Sequence, residues 1–459
     1  MEKMQWNKTC RQRMQEDVHK LKFHLMPPGG WLNDPNGLCQ MNGIYHIFYQ
    51  YSYEPEGGNK YWGHYTTTDF IQYSEEDIAI YPDDKSDRSG AYSGSAFIEN
   101  GMHIFYTGNV KLEGEHDFIH TGRESNTNYI YSEDGMHFSE KKTLLTSEVY
   151  PKDLTLHVRD PKVSKIKDTY YMYLGARTKK DEGCVLVYSS KDLMDWTYDS
   201  RIEPEVPFGY MWECPDLIYL DGESFLICCP QGISKQGYQY ENYDQNGYFK
   251  VIENKARDYQ TLDYGFDFYA PQTFVDEQGR TILIAWMGLP DNTYENPTVD
   301  RGWQMCLTIP RQLENRDGKI YQYPIQEIIK LQGNKKELLI SKQEQSMEKG
   351  CFIHMDVNNT PFQIQLNSLR LSYENNVFQL EFLDSGYGRT IRHIEIEDMQ
   401  EMDIFLDTSA IEIFLNHGEK TLSSRYYDGK KDMMISSTNE IQIQYSIMKS
   451  FEINYKEMD

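Results

Sequence analysis

Asp34, Asp160 and Glu213 stand in three short segments of similar make: NDPNGL (33–38), RDPKV (159–163) and ECPDL (213–217). Each acid is followed by proline within two residues, and each segment lies within about ten residues of a turn that leads into an apolar run. YSGSAF (92–97) and YAPQTF (269–274) occupy the matching place before two further turns. If the segments are equivalent strands of a repeat around a channel, the three acids converge on one funnel. Carboxylates sharing a partly desolvated pocket repel one another, so at least one should hold its proton more tightly than usual. Glycosidic cleavage needs such a pair, one carboxylate ionised as nucleophile or base and the other protonated to donate to the leaving oxygen. Taken singly, an Asp-Pro is most often a turn or strand start. A ring of acids could also bind a cation, but the spacings match no metal motif and no H-E-x-x-H is present. The acids alone fit a carboxylate enzyme and a structural propeller equally.

The elements that must position these acids are legible as a repeat. NGIYHIFYQYS (42–52), NGMHIFYTGN (100–109), KDTYYMYLGAR (167–177), DGESFLICCPQG (221–232) and QGRTILIAWMG (278–288) each place β-branched and aromatic residues after a hairpin signal. Their starts recur at intervals of roughly 55–65 residues. A second element, Ser/Thr-x-Asp and then an aromatic after three more residues, recurs in TTDFIQY (67–73), SEDGMHF (132–138) and SKDLMDW (190–196). It reads as an outer hairpin turn capped by the aspartate. Five such units without intervening amphipathic helices predict an all-β chain, a five-bladed β-propeller over residues 20–320. All seven tryptophans fall at or before Trp303. YPIQEIIKLQG (323–333) reads as a short helical linker, placed at 321–334. Alternating segments such as FQIQLNSLRLSYE and IQIQYSIMKSFEINY then predict a C-terminal β-sandwich over 335–459.

Composition narrows the partners. A formal net charge of −25 disfavours nucleic acid and anionic membrane surfaces. The 36 tyrosines suit strands first and sugar-binding clefts second. The eight cysteines include no C-x-x-C pair, and the N-terminal residues lack the apolar core of a signal peptide. The expectation is a cytoplasmic protein with reduced thiols.

At these same residues the chain resembles glycoside hydrolase family 32, the β-fructofuranosidases, over nearly its whole length. FHLMPPGGWLNDPNGL resembles the family's opening Trp-x-Asn-Asp-Pro-Asn-Gly block, HVRDPKV its Arg-Asp-Pro block and MWECPDL its Glu-Cys block. YSGSA, YPDD, LDYGFDFYAPQTF, GWQMCLTIPRQL and DTSAIEIFLNHGEKTLSSRYY resemble further family segments in the same order. The resemblance implies Asp34 as nucleophile at the fructosyl anomeric carbon, Glu213 as general acid/base, and Asp160 as a non-covalent partner that holds fructosyl hydroxyls. It implies sugar contacts from Asn33, Gln50, Trp62, Tyr92, Ser93, Arg159 and Trp286, with Trp31 as a wall of the pocket. Tyr73 and Tyr92 stand where relatives often carry other aromatics, and ESNTNYIYSEDG lacks a glutamine common before that block.

The implied activity is retaining hydrolysis of sucrose, sucrose 6-phosphate or short fructo-oligosaccharides through a fructosyl-enzyme, with no metal or organic cofactor. Retention calls for the two working carboxyl groups to lie about 5–5.5 Å apart. A fructosyltransferase or a fructan exo-hydrolase on the same scaffold keeps the same residues, and a carbohydrate-binding propeller without catalysis is the alternative from another class. The sandwich is expected to stabilise the propeller or to form a homodimer.

Overall fold

The computed structural model describes residues 2–290 and 293–456. Residues 30–324 form a ring of five antiparallel units of four strands each. Blade I comprises Gly30–Met41, Ile44–Ser52, Tyr61–Thr67 and Gln72–Glu75. Blade II comprises Ala91–Ile98, Met102–Lys111, Arg123–Ser132 and Lys142–Leu145, and blade III Leu154–Ile166, Thr169–Thr178, Gly183–Ser190 and Thr197–Pro204. Blade IV comprises Met211–Leu220, Glu223–Gln231, Gly247–Ile252 and Lys255–Thr261, and blade V Tyr269–Val275, Thr281–Trp286, Arg311–Arg316 and Lys319–Pro324. The first strand of each blade packs beside those of its neighbours, and blade V meets blade I, so the ring closes.

The hairpin signals explain the repeat. Asn42 and Gly43 both take positive φ, 53° and 80°, as the tight turn into the second strand of blade I requires. The five turn-and-apolar segments become the second strands of the five blades. The Ser/Thr-x-Asp elements become the outer turns. Asp69 Oδ1 accepts from the amides of Ile71 and Gln72, Asp134 Oδ1 from Met136 and His137, and Asp192 Oδ1 from Met194 and Asp195.

Beyond the propeller, two six-stranded antiparallel sheets face each other. Their strict alternation, as in Phe362–Leu366, sends Phe362, Ile364 and Leu366 into a shared core with Ile404, Ile413 and Leu422. The architecture is a five-bladed β-propeller followed by a β-sandwich. The short helix Gln326–Ile329 lies between them.

Three features tie the ends together. A helix, Glu2–Gln15, precedes the propeller, and its buried Met14 packs with Trp303. Trp303–Gln304 runs parallel to the start of blade I, pairing Gly30 with Trp303. Near the end of the chain, Glu452–Asn454 leaves the sandwich and adds a parallel strand to the outer edge of blade I.

Candidate active site

The innermost strand of every blade is interrupted at the same level. Two residues of that strand face one of its partner: Asn33–Asp34 in blade I, Tyr92–Ser93 in II, Asp160–Pro161 in III, Cys214–Pro215 in IV and Ala270–Pro271 in V. These are β-bulges, which bend a strand and re-aim its side chains. Proline suits the second position because the interrupted ladder asks no amide of it. In blades III, IV and V the first bulge residue is left-handed, with φ of 61° at Asp160, 49° at Cys214 and 47° at Ala270. A non-glycine residue in that region costs about 1–3 kcal/mol, and such strain collects at working sites.

The bulges resolve how the acids share one level. The three are staggered: Asp34 is the second bulge residue of its strand, Asp160 the first, and Glu213 directly precedes its bulge. Arg159, Glu213 and Tyr269 hold the same place on three successive blades, and their side chains meet. Arg159 donates from Nε to Glu213 Oε1 at 2.8 Å, and its terminal nitrogen lies 2.7 Å from the same oxygen. The Tyr269 hydroxyl donates to Glu213 Oε2 at 2.7 Å, and Gln231 Nε2 donates to it at 3.0 Å.

Asp34 lies in a different electrostatic setting. Ser93 Oγ donates to its Oδ2, and Asn33 Nδ2 donates to its Oδ1 at 3.0 Å. Asn33 is itself held by the Trp31 indole, 2.7 Å to its Oδ1, and bonds Gln50 Oε1 at 2.9 Å. Burial raises the Asp34 pKa and the charge of Glu213 adds to the rise, while Ser93, Asn33 and the Lys60 ammonium pull against it. Asp160 also has a raised pKa, because burial and the charges of Glu213 and Asp34 outweigh Arg159 and the Cys214 amide. That amide donates to Asp160 Oδ2 at 2.9 Å, so the residue after Glu213 links two acids. The Cys214 thiol lies 3.9 Å from Asp34 Oδ2 and 3.7 Å from Asp160 Oδ2.

All three acids line one cavity of about 790 Å³ at this end of the channel, together with Trp31, Asn33, Gln50, Tyr92, Ser93, Arg159 and Trp286. That volume falls in the range of small-molecule sites. Trp31 and Trp286 meet with ring centroids 6.2 Å apart, and the Lys60 ammonium lies 4.5 Å over the Trp31 ring. Flat aromatic faces beside directional carboxylates and amides suit a polyol.

Trp62 departs from the expectation. It is fully buried, packs among Phe48 and Tyr106, and does not line the cavity. It sits on the third strand of blade I, one strand outside its cross-strand partner Gln50, with the Tyr92 segment between it and the cavity. Its indole donates to the Tyr92 carbonyl at 3.0 Å, so it holds the Tyr92–Ser93 bulge in place.

Sequence reasoning missed Tyr269, Gln231, Lys60 and His157, all on the cavity wall. Tyr269 had a signal, since YAPQTF was read as an equivalent strand, and His157 opens the HVRDPKV block; Gln231 and Lys60 stand in an apolar run and a loop without a pattern. His157 shows how finely the wall is set. Arg159 can only donate, so the His157 Nδ1 at 2.9 Å must accept, which leaves Nε2–H to donate to the Phe118 carbonyl at 3.1 Å. Burial and the neighbouring guanidiniums hold this imidazole neutral, its pKa far below the ordinary value. Among the described residues, no three His, Cys, Asp or Glu side chains gather as a metal site.

Residues 24–324 match the glycosyl hydrolases family 32 N-terminal domain, and residues 364–454 match the family 32 C-terminal domain. The chain is 37% identical to a sucrose-6-phosphate hydrolase of Bacillus subtilis (strain 168), covering 94% of each. It is 36% identical to a raffinose invertase of Escherichia coli, covering 88% of this chain and 89% of that one. The structure of a sucrose-6-phosphate hydrolase from Lactobacillus gasseri superposes with a TM-score of 0.86 at 28% identity, over 97% of this chain and 96% of that one.

Proposed function

The chain belongs to glycoside hydrolase family 32, and we propose on that premise how its funnel of acids works. The protein is a glycoside hydrolase of the β-fructofuranosidase type that cleaves the fructosyl bond of sucrose or sucrose 6-phosphate. In our reading, Asp34 attacks the anomeric carbon of the fructosyl unit. The bond to the glucosyl oxygen breaks, and Glu213 supplies that oxygen with a proton. A fructosyl ester on Asp34 results. Glu213, now ionised, takes a proton from water as that water attacks the same carbon, and Asp34 leaves as a carboxylate.

The observation that carries this reading is that the two acids meet in one cavity, each held in place by its own set of donors. Asp34 is met by a hydroxyl, an amide and the Lys60 charge, all of which favour the ionised form that attack requires. Glu213 is fixed in place by Arg159, Tyr269 and Gln231. Asp160, anchored by the Cys214 amide, would accept from fructosyl hydroxyls and oppose the positive charge that builds on the ring. Trp31, Trp286, Tyr92 and the amides of Asn33 and Gln50 would seat the sugar, and Ser93 would bond both substrate and Asp34.

The test is direct. Asp34→Ala and Glu213→Ala should each lose nearly all sucrose hydrolysis while still folding and unfolding cooperatively. Near-parental turnover in either variant contradicts the assignment. Fructosyl transfer is the second reading within the same chemistry, and accumulation of oligosaccharides at high sucrose would favour it. A cytoplasmic location is supported by eight free cysteines, all but Cys214 buried. No helix among the described residues is long and apolar enough to cross a membrane.

A further inference from the structure

Three arginines of this acidic chain, Arg123, Arg159 and Arg177, stand around His157 on the cavity wall. Two of the three are matched. Arg159 pairs with Glu213, and Arg177 pairs with Asp181 at 2.7 Å while stacking 4.5 Å over the Tyr210 ring. Arg123 forms no ion pair and no side-chain hydrogen bond among the described residues, and its Nε is buried without an acceptor. His157 offers it nothing, because its Nδ1 is already engaged by Arg159 and its Nε2 by the Phe118 carbonyl. A half-buried guanidinium close to a second one is costly, and burial and the Arg159 charge lower its pKa accordingly. A costly cation at the edge of a substrate cavity is best accounted for by a partner that arrives with the ligand.

We propose that Arg123, supported by Arg177, is the anion subsite that seats the phosphate of a phosphorylated leaving sugar. Three arguments converge. The guanidinium fork matches a phosphate bidentately, and such charge-assisted bonds are the strong ones. The cluster lines the same cavity as Glu213, which in the proposed reaction protonates the leaving oxygen, but Arg123 and Arg177 stand on outer strands of their blades and not on the innermost strands that carry Asp34 and Asp160. Finally, the net charge of −25 repels a phosphorylated sugar overall, so recognition must come from a local inversion of sign. Arg123 opens the third strand of blade II and Arg177 lies near the end of the second strand of blade III, so two blades contribute to the site. This inference rests on the β-fructosidase reading and sharpens its substrate preference.

The test compares kcat/KM of the full chain on sucrose and on sucrose 6-phosphate. The parent enzyme should favour the phosphorylated sugar at least tenfold, roughly one charge-assisted hydrogen bond's worth. Arg123→Gln should cut the ratio of the two kcat/KM values by about 10–100-fold, and Arg123→Lys should restore part of it. Because both rates are read on the same preparation, loss of folded protein cancels from the ratio. Glucose 6-phosphate should compete better than glucose against the parent, and that advantage should vanish in Arg123→Gln. A parental ratio near one, or a ratio that Arg123→Gln leaves unmoved, overturns the subsite while leaving the β-fructosidase reading intact. Release of fructose from neither sugar overturns the reading itself.

Discussion

Asp160 shows what the site costs at the scale of single residues. Its carboxyl is buried beside two other acids, and its pKa is raised above the ordinary carboxylate value. Below the unfolded pKa both states carry the proton and nothing is lost. As pH rises from there to the folded pKa, the unfolded state ionises first and the folded state loses stability by comparison. Asp160→Asn removes that penalty, and the amide oxygen can still accept from the Cys214 amide. The variant should therefore melt higher than the parent at pH 7 to 8, by a margin that closes as pH falls toward 4, while its activity collapses. A melting temperature equal to or below the parental one at neutral pH would show that Asp160 carries no such cost. The acids could be read from sequence because each has a proline within two residues in a segment that recurs before an apolar run, although their places around the bulge differ. Gln231 and Lys60 could not, since nothing in their local sequence says which way they face. Trp62 was misplaced because a tryptophan in a strand reveals its face but not how far its strand lies from the channel.

At the scale of elements, the five bulges turn a regular propeller into a catalytic funnel. A continuous ladder would alternate side chains along each inner strand. One extra residue in each strand instead brings Asp34 against Ser93, and Arg159, Glu213 and Tyr269 into contact. Such crowding depends on close approach between blades. A Cβ built on Gly175, in the second strand of blade III, would lie 2.1 Å from the carbonyl oxygen of Trp212, the residue before Glu213. Gly175→Ala must push the inner strand of blade IV aside, at a cost of about 1–3 kcal/mol. We expect a lower unfolding temperature and a kcat reduced more than tenfold, because Glu213 moves with its strand. Parental kcat in a folded Gly175→Ala enzyme would mean that the inner strands tolerate displacement. Second strands and outer turns were legible because Asn-Gly turns and Asx caps are local chemistry. The bulges were visible only as prolines next to acids, and the left-handed Cys214 and Ala270 gave no sign at all, since neither residue type favours that conformation.

At the scale of the whole molecule, a buried polar network fastens the sandwich to the propeller. His24 Nδ1 lies 2.9 Å from Asp407 and its Nε2 lies 3.0 Å from Glu412, all three fully buried. Burial alone would lower the His24 pKa, but the two carboxylates reverse that and raise it. Arg311 of blade V joins Glu412 of the sandwich to Asp263 and to Gln322, tying the two domains together. Apolar contacts cross as well, with Phe352, Phe405 and Phe414 of the sandwich packed in one cluster with Ile325 and Ile328. These links join residues far apart in sequence. The N-terminal helix went unread, and FEINY, expected as a strand of the sandwich, instead sends Glu452–Asn454 to the outer edge of blade I, a partner chosen by the closed ring and not by neighbours in the chain. The assembled funnel makes one claim above the rest, that Asp34 and Glu213 divide the cleavage into two displacements at one carbon. The anomer of the first fructose released, followed by NMR before mutarotation, tests it most directly. Double displacement predicts β-fructofuranose first, with the α anomer appearing only as solution equilibrium is reached; α-fructofuranose as the initial product would contradict the account.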